Sequence, residues 1–158
     1  MRIIGIDPGM AIVGYSIVDI KKNENVLVAS GSIQTSSKDC DACRLFEISQ
    51  DLATLVEKYS PDAASVEKLF FFKNAKTIIP VAEARGVILM TLAKYEVPVH
   101  EYTPMVVKQV MTGYGRASKD EVAKMVEMCI SCASLPKLDD TVDSIAIALC
   151  HARSAMLV

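Results

Sequence analysis

The chain has 158 residues, 51% of them hydrophobic and 23% charged, with a formal net charge of −2. That length suits one domain whose core needs neither disulfides nor a structural metal, and the composition excludes disorder. No apolar run approaches the ~20 residues of a membrane span, and the strand-like N-terminus with its single Arg2 does not read as a signal peptide, so a cytoplasmic protein is expected.

Arg2 to Asp7 reads as a short buried strand, β-branched and ended by Pro8-Gly9. Ile12 to Ile20 resumes as a second strand. After a polar turn, Val26 to Thr35 returns as a third, completing an antiparallel meander. From Asp41 to Tyr59 the spacing turns helical, with Leu45, Ile48, Leu52, Leu55, Val56 and Tyr59 on one face, and Ser60-Pro61-Asp62 stops it. Ala63 to Glu67 is short and apolar, as expected of an interior strand covered on both faces. The aromatic-rich stretch from Leu69 to Asn74 is a loop.

Lys76 to Tyr95 follows as a long helix, apolar around much of its circumference, which calls for cover on two sides. Val97 to Tyr102 is a further strand, and Thr103-Pro104 opens a short helix. Gly113-Tyr114-Gly115 is a turn. Ser118 and Glu121 stand at capping-box spacing for a helix reaching about Ile130. Leu138 to the end is the last helix. This order predicts a mixed sheet flanked by helices, in a single domain over residues 1–158.

Charge is unevenly spread. Residues 66–137 carry 10 Lys/Arg against 7 Asp/Glu, while the segments on either side are acidic. The negative total therefore does not exclude a nucleic acid partner, because a cation-loaded acidic site attracts phosphate. Five cysteines include Cys40-x-x-Cys43 and Cys129-x-x-Cys132. Both pairs fall in or beside helical patterns, so they read as small semi-buried residues in a reducing cytosol rather than as zinc half-sites.

Four carboxylates stand where carboxylates are costly. Asp7 ends the run Ile3-Ile4-Gly5-Ile6, and Glu67 ends Ala63-Ala64-Ser65-Val66. Asp140 and Asp143 lie one turn apart at the start of an otherwise apolar helix. An ionised carboxylate at the edge of a core needs a compensating charge. Hard oxygen ligands without an obligatory histidine select Mg²⁺ or Mn²⁺ and point to phosphoryl transfer.

The motifs Gly5-Ile6-Asp7-Pro8-Gly9 with Gly14-Tyr15, Glu67 with Phe70, Lys73-Asn74, Ala84-Arg85-Gly86, Val107-Lys108-Gln109, Gly113-x-Gly115 and Asp140-x-x-Asp143-Ser-Ile-Ala-Ile-Ala run in that order from residue 3 to residue 151. Each is weak alone; in this order and spacing the chain resembles the RuvC family of crossover junction endodeoxyribonucleases. The resemblance implies a ribonuclease H-like fold, with a five-stranded sheet of three antiparallel strands followed by parallel ones. It implies catalytic, metal-binding acids at Asp7, Glu67, Asp140 and Asp143, holding two Mg²⁺ ions for which Mn²⁺ substitutes. Asp139 competes with Asp140 by position, and the family pattern favours Asp140.

It also implies hydrolysis of four-way junction DNA by paired symmetric nicks that leave 5′-phosphate and 3′-hydroxyl ends. Lys108 and Lys119 match basic positions near the scissile phosphate, with Arg116 adding to that surface. Lys73 and Phe70 are expected at the DNA, Phe70 as a wedge or stacking platform. Phe71 and Phe72 depart from the pattern, so one of them is expected in the core. The implied partners are a second copy of the chain, docked through the helix from Lys76 to Tyr95, and a branch-migration motor. The rival readings are a catalytically silent junction binder, a phosphate-loop lobe of the actin or sugar-kinase type, and a ribonuclease H acting on RNA–DNA hybrids.

Overall fold

A computed structural model describes residues 1–22, 24–69, 75–132 and 139–155, with backbone alone for 75–77. Three strands, β1 (Arg2–Asp7), β2 (Ile12–Ile20) and β3 (Asn25–Gln34), precede helix α1 (Asp41–Tyr59) and strand β4 (Ala63–Glu67). Helix α2 (Ala75–Lys94), strand β5 (Val99–Tyr102) and helices α3 (Pro104–Thr112), α4 (Lys119–Cys129) and α5 (Asp139–Ala155) complete the order. The sheet runs β3-β2-β1-β4-β5. Its first three strands are antiparallel, and β1, β4 and β5 are mutually parallel. This is the mixed five-stranded sheet expected from the sequence.

Strand parity decides what each face carries. Ile4 and Ile6 of β1 point into one apolar layer, with Ile48, Leu52 and Val56 of α1 and Ala84, Ile88 and Leu92 of α2. Ile3 points the other way, into a layer shared with α3, α4 and α5. Gly5 and Asp7 have the parity of Ile3 and therefore face α5. Their β2 partners Ser16 and Gly14, and Ser65 opposite Gly5 on β4, share that face. Glu67, two residues beyond Ser65, falls on it too.

Small side chains let α5 settle close to the sheet. A Cβ on Gly5 would lie 2.1 Å from the Ser144 carbonyl oxygen, and one on Gly14 would lie 2.0 Å from that of Asp140. Ser65 Oγ donates to the Ile147 carbonyl at 2.7 Å, pinning the helix to β4. From Ser144 to Ala152 every residue of α5 is buried. Each of Ile145, Ile147 and Leu149 contributes about 2 kcal/mol of burial.

The helix ends follow local chemistry. Ser60 closes α1 in the left-handed region (φ 45°), its N–H donating to the Val56 carbonyl. Thr103 caps α3, Pro104 opens it, and Gly113 (φ 82°) ends it. Ser118 and Glu121 form the expected capping box on α4, each side chain accepting from the other's backbone N–H. The last ladder strand starts at Val99 rather than Val97, because Pro98 has no N–H to offer.

One expectation needs correction. The cysteine pairs are not uniformly semi-buried: Cys40, Cys43 and Cys132 are exposed, Cys129 is partly buried, and only Cys150 is fully buried. Helix α2 is covered on one side within the chain, through Ala84, Ile88, Thr91 and Leu92, whereas Ile79, Ala82, Gly86 and Met90 form an open stripe. No helix among the described residues is long and apolar enough to cross a membrane.

Candidate active site

Asp7 and Glu67 end adjacent parallel strands one register step beyond the Ile6–Val66 pair, and both face α5. The first turn of α5 lies over Gly14, which carries Asp140 and Asp143 to the same end of the sheet. All four carboxylates line one open cleft of about 340 Å³. Lys108 of α3 and Lys119 of α4 line it as well, and Pro104, Val107, Val122, Ala146 and Ile147 form its apolar wall. Asp139, one residue before Asp140, is exposed and does not line the cleft.

Burial and mutual repulsion dominate the electrostatics. Asp7 is pushed up to about 8, first by burial and then by Glu67, Asp143 and Asp140, against the pull of Lys119. Glu67 is pushed up to about 7, again by burial first and then by Asp143, with Lys119 and Lys108 opposing. Lys119 Nζ donates to Asp143 Oδ2 at 3.0 Å, which holds the ammonium above its usual range. Among the described residues, no three ligating side chains are already drawn around one point. Asp143 turns to Lys119 instead.

The donor set fits a hard divalent cation: four carboxylates from three elements, two of them deep enough to resist ionisation unless cationic charge approaches. Both histidines lie away from the cleft, stacked on each other with ring centroids 4.0 Å apart. Arg116 is exposed in the turn before α4 and does not line the cleft. Phe70 and Lys73, with Phe71, Phe72 and Asn74, lie outside the described residues. Two features escaped the sequence reading. One is the Lys119–Asp143 pair; the other is Ser65, whose hydroxyl in an apolar strand, at the parity of Glu67, was the available signal.

The sheet order and the acid-lined cleft beneath α5 are those of the ribonuclease H-like fold. A family model described as "Crossover junction endodeoxyribonuclease RuvC" matches residues 3–151. Among curated relatives, the RuvC of Caldicellulosiruptor saccharolyticus is 43% identical over all of this chain and 96% of its own length. That of Prochlorococcus marinus (strain NATL1A) is 48% identical over 94% of this chain and 96% of its own. The structure of T. thermophilus RuvC in complex with a Holliday junction substrate superposes with a TM-score of 0.93 at 32% identity, over 99% of this chain and 96% of that one. The yeast mitochondrial Holliday junction resolvase Ydc2 shares the fold, with a TM-score of 0.70 at 15% identity over 96% and 79% of the two chains. The chain belongs to the RuvC family of crossover junction endodeoxyribonucleases.

Proposed function

We propose that this chain, as one nuclease domain over residues 1–158, is a cytoplasmic, structure-specific endonuclease that resolves four-way DNA junctions in recombination and repair. One observation carries the reading: four carboxylates from β1, β4 and α5 line a single cleft rimmed by two lysines. The relatives' names and the junction-bound relative support the choice of substrate.

Asp7, Glu67, Asp140 and Asp143 hold the cations in this reading. The chemistry supplied by two Mg²⁺ ions there, or by Mn²⁺ in their place, is activation of a water and stabilisation of the leaving 3′-oxygen, giving 5′-phosphate and 3′-hydroxyl ends. Lys119 gives up Asp143 for the scissile phosphate as DNA enters, and Lys108 approaches that phosphate from α3. Arg116 meets the backbone farther out. The roles of Phe70 and Lys73 at the junction rest on the family resemblance alone, as does delivery of the junction by a branch-migration motor.

A junction of approximate two-fold symmetry requires two sites, hence a homodimer. The open stripe of Ile79, Ala82, Gly86 and Met90 on α2 supports docking through that helix, since a Cβ on Gly86 would meet nothing within 4 Å.

The test is a synthetic four-way junction incubated with the protein and Mg²⁺. Paired, symmetric, ligatable nicks that vanish in EDTA are expected. Undiminished cleavage in EDTA would overturn the reading. So would preferential cleavage of an RNA–DNA hybrid, or retention of an uncut junction.

A further inference from the structure

Cys40 and Cys43 do not line the acidic cleft. Cys40 is the N-cap of α1, with extended backbone (φ −66°, ψ 151°). That position ordinarily holds Ser, Thr, Asp or Asn. Its sulfur accepts from the Cys43 N–H at 3.2 Å. Both residues are exposed, although free cysteine is among the most buried residue types.

The first turn that carries the pair is tied down. Arg44 Nε donates to Thr35 Oγ1 at 2.9 Å, and Thr35 Oγ1 donates to the Met10 carbonyl at 2.6 Å. Three-residue spacing across this turn keeps the Cα atoms within the ~4.4–6.8 Å that a disulfide spans.

The two sulfurs are unlike. The Cys43 thiol and the backbone N–H groups of Cys43 and Ala42 hold Cys40 below the ordinary thiol range, against desolvation and, more weakly, Asp39. Cys43 is held above it by the same contact with Cys40. The second pair is placed differently. Cys129 sits at the C-terminal end of α4, partly buried, with its sulfur accepting from Arg153 Nη2 at 2.8 Å.

We propose that Cys40 and Cys43 form a redox-reversible dithiol on the folded enzyme, with Cys40 as nucleophile, Cys43 as resolving thiol and a low-molecular-weight disulfide such as oxidised glutathione as co-substrate. The Cys40 thiolate attacks one sulfur of the small disulfide, forming a mixed disulfide and expelling one thiolate. Cys43 then loses its proton to solvent and attacks the Cys40 sulfur. This closes Cys40–Cys43 and expels the second small thiolate. Two protein thiols are oxidised, one small disulfide is reduced to two thiols, and the protons released by the protein end on those thiols. The inference is independent of the nuclease reading.

The test treats the reduced full chain with oxidised glutathione at neutral pH, followed by peptide mapping under acid quench. A Cys40–Cys43 disulfide, reversed by dithiothreitol, is expected in the wild type. Cys43→Ser should trap glutathione on Cys40, about tenfold faster than Cys40→Ser traps it on Cys43. Two results would overturn the proposal: both thiols staying free in the wild type while Cys132 becomes glutathionylated, or equal trapping rates in the two variants.

Discussion

Asp7→Asn should lower junction nicking by about a thousandfold or more, while raising the melting temperature of the cation-free protein by about 5 °C. The two effects have one cause. Asp7 is buried at the end of β1 among Glu67, Asp143 and Asp140, and the fold pushes its carboxyl from 3.8 up to about 8. Between those values the folded state keeps a proton that the unfolded chain releases. Its contribution to stability is therefore full below about pH 4 and is lost as pH rises through about 8. Glu67, pushed up from 4.5 to about 7, acts in the same sense over a narrower window. An amide at position 7 keeps the shape, removes the charge and so flattens this slope. It also removes one of the four proposed cation ligands, hence the expected loss of nicking. Melting curves in EDTA from pH 5 to 8, with nicking assayed in Mg²⁺ on the same preparations, check both halves. An Asp7→Asn protein as pH-sensitive as the wild type would contradict this account of the site.

Gly14→Ala is expected to cost about 3 kcal/mol, or near 10 °C in melting temperature, and to reduce nicking beyond what lost stability explains. A Cβ there would come within 2.0 Å of the Asp140 carbonyl oxygen, a backbone atom in the first turn of α5. No side-chain rotation relieves that contact, so either β2 or the helix start must move. Asp140 and Asp143 then move relative to Asp7 and Glu67. Measuring kcat at a temperature where the variant is fully folded separates displacement of the site from unfolding. A folded variant with wild-type kcat would show that the α5–β2 contact does not position the acids.

Much of this architecture was legible in the chain because it is local. Short apolar runs bounded by turn residues mark β1, β2 and β4. The 3.6-residue spacing marks α1, and Ser118 with Glu121 marks the start of α4. The acids were legible for the same reason: each interrupts or ends an apolar pattern. What stayed hidden depends on contacts between distant segments. Nothing near Gly14 in sequence says that Asp140 will rest on it, and nothing near Lys119 says that its ammonium will reach Asp143. Ser65 looks like a small core residue until α5 supplies the Ile147 carbonyl that accepts its hydroxyl. Apolarity around α2 reports that two surfaces must be covered without saying which lies within the chain. Cysteine spacing likewise reports a shared helix face and not its exposure.

The central claim is that carboxylates from β1, β4 and α5 jointly grip divalent cations in the cleft beneath the start of α5. Anomalous diffraction from crystals of the protein soaked in Mn²⁺ addresses it without reference to DNA. Two peaks enclosed by Asp7, Glu67, Asp140 and Asp143, both absent from Asp7→Asn crystals, are the expected result; Mn²⁺ peaks lying only elsewhere on the molecule would contradict it.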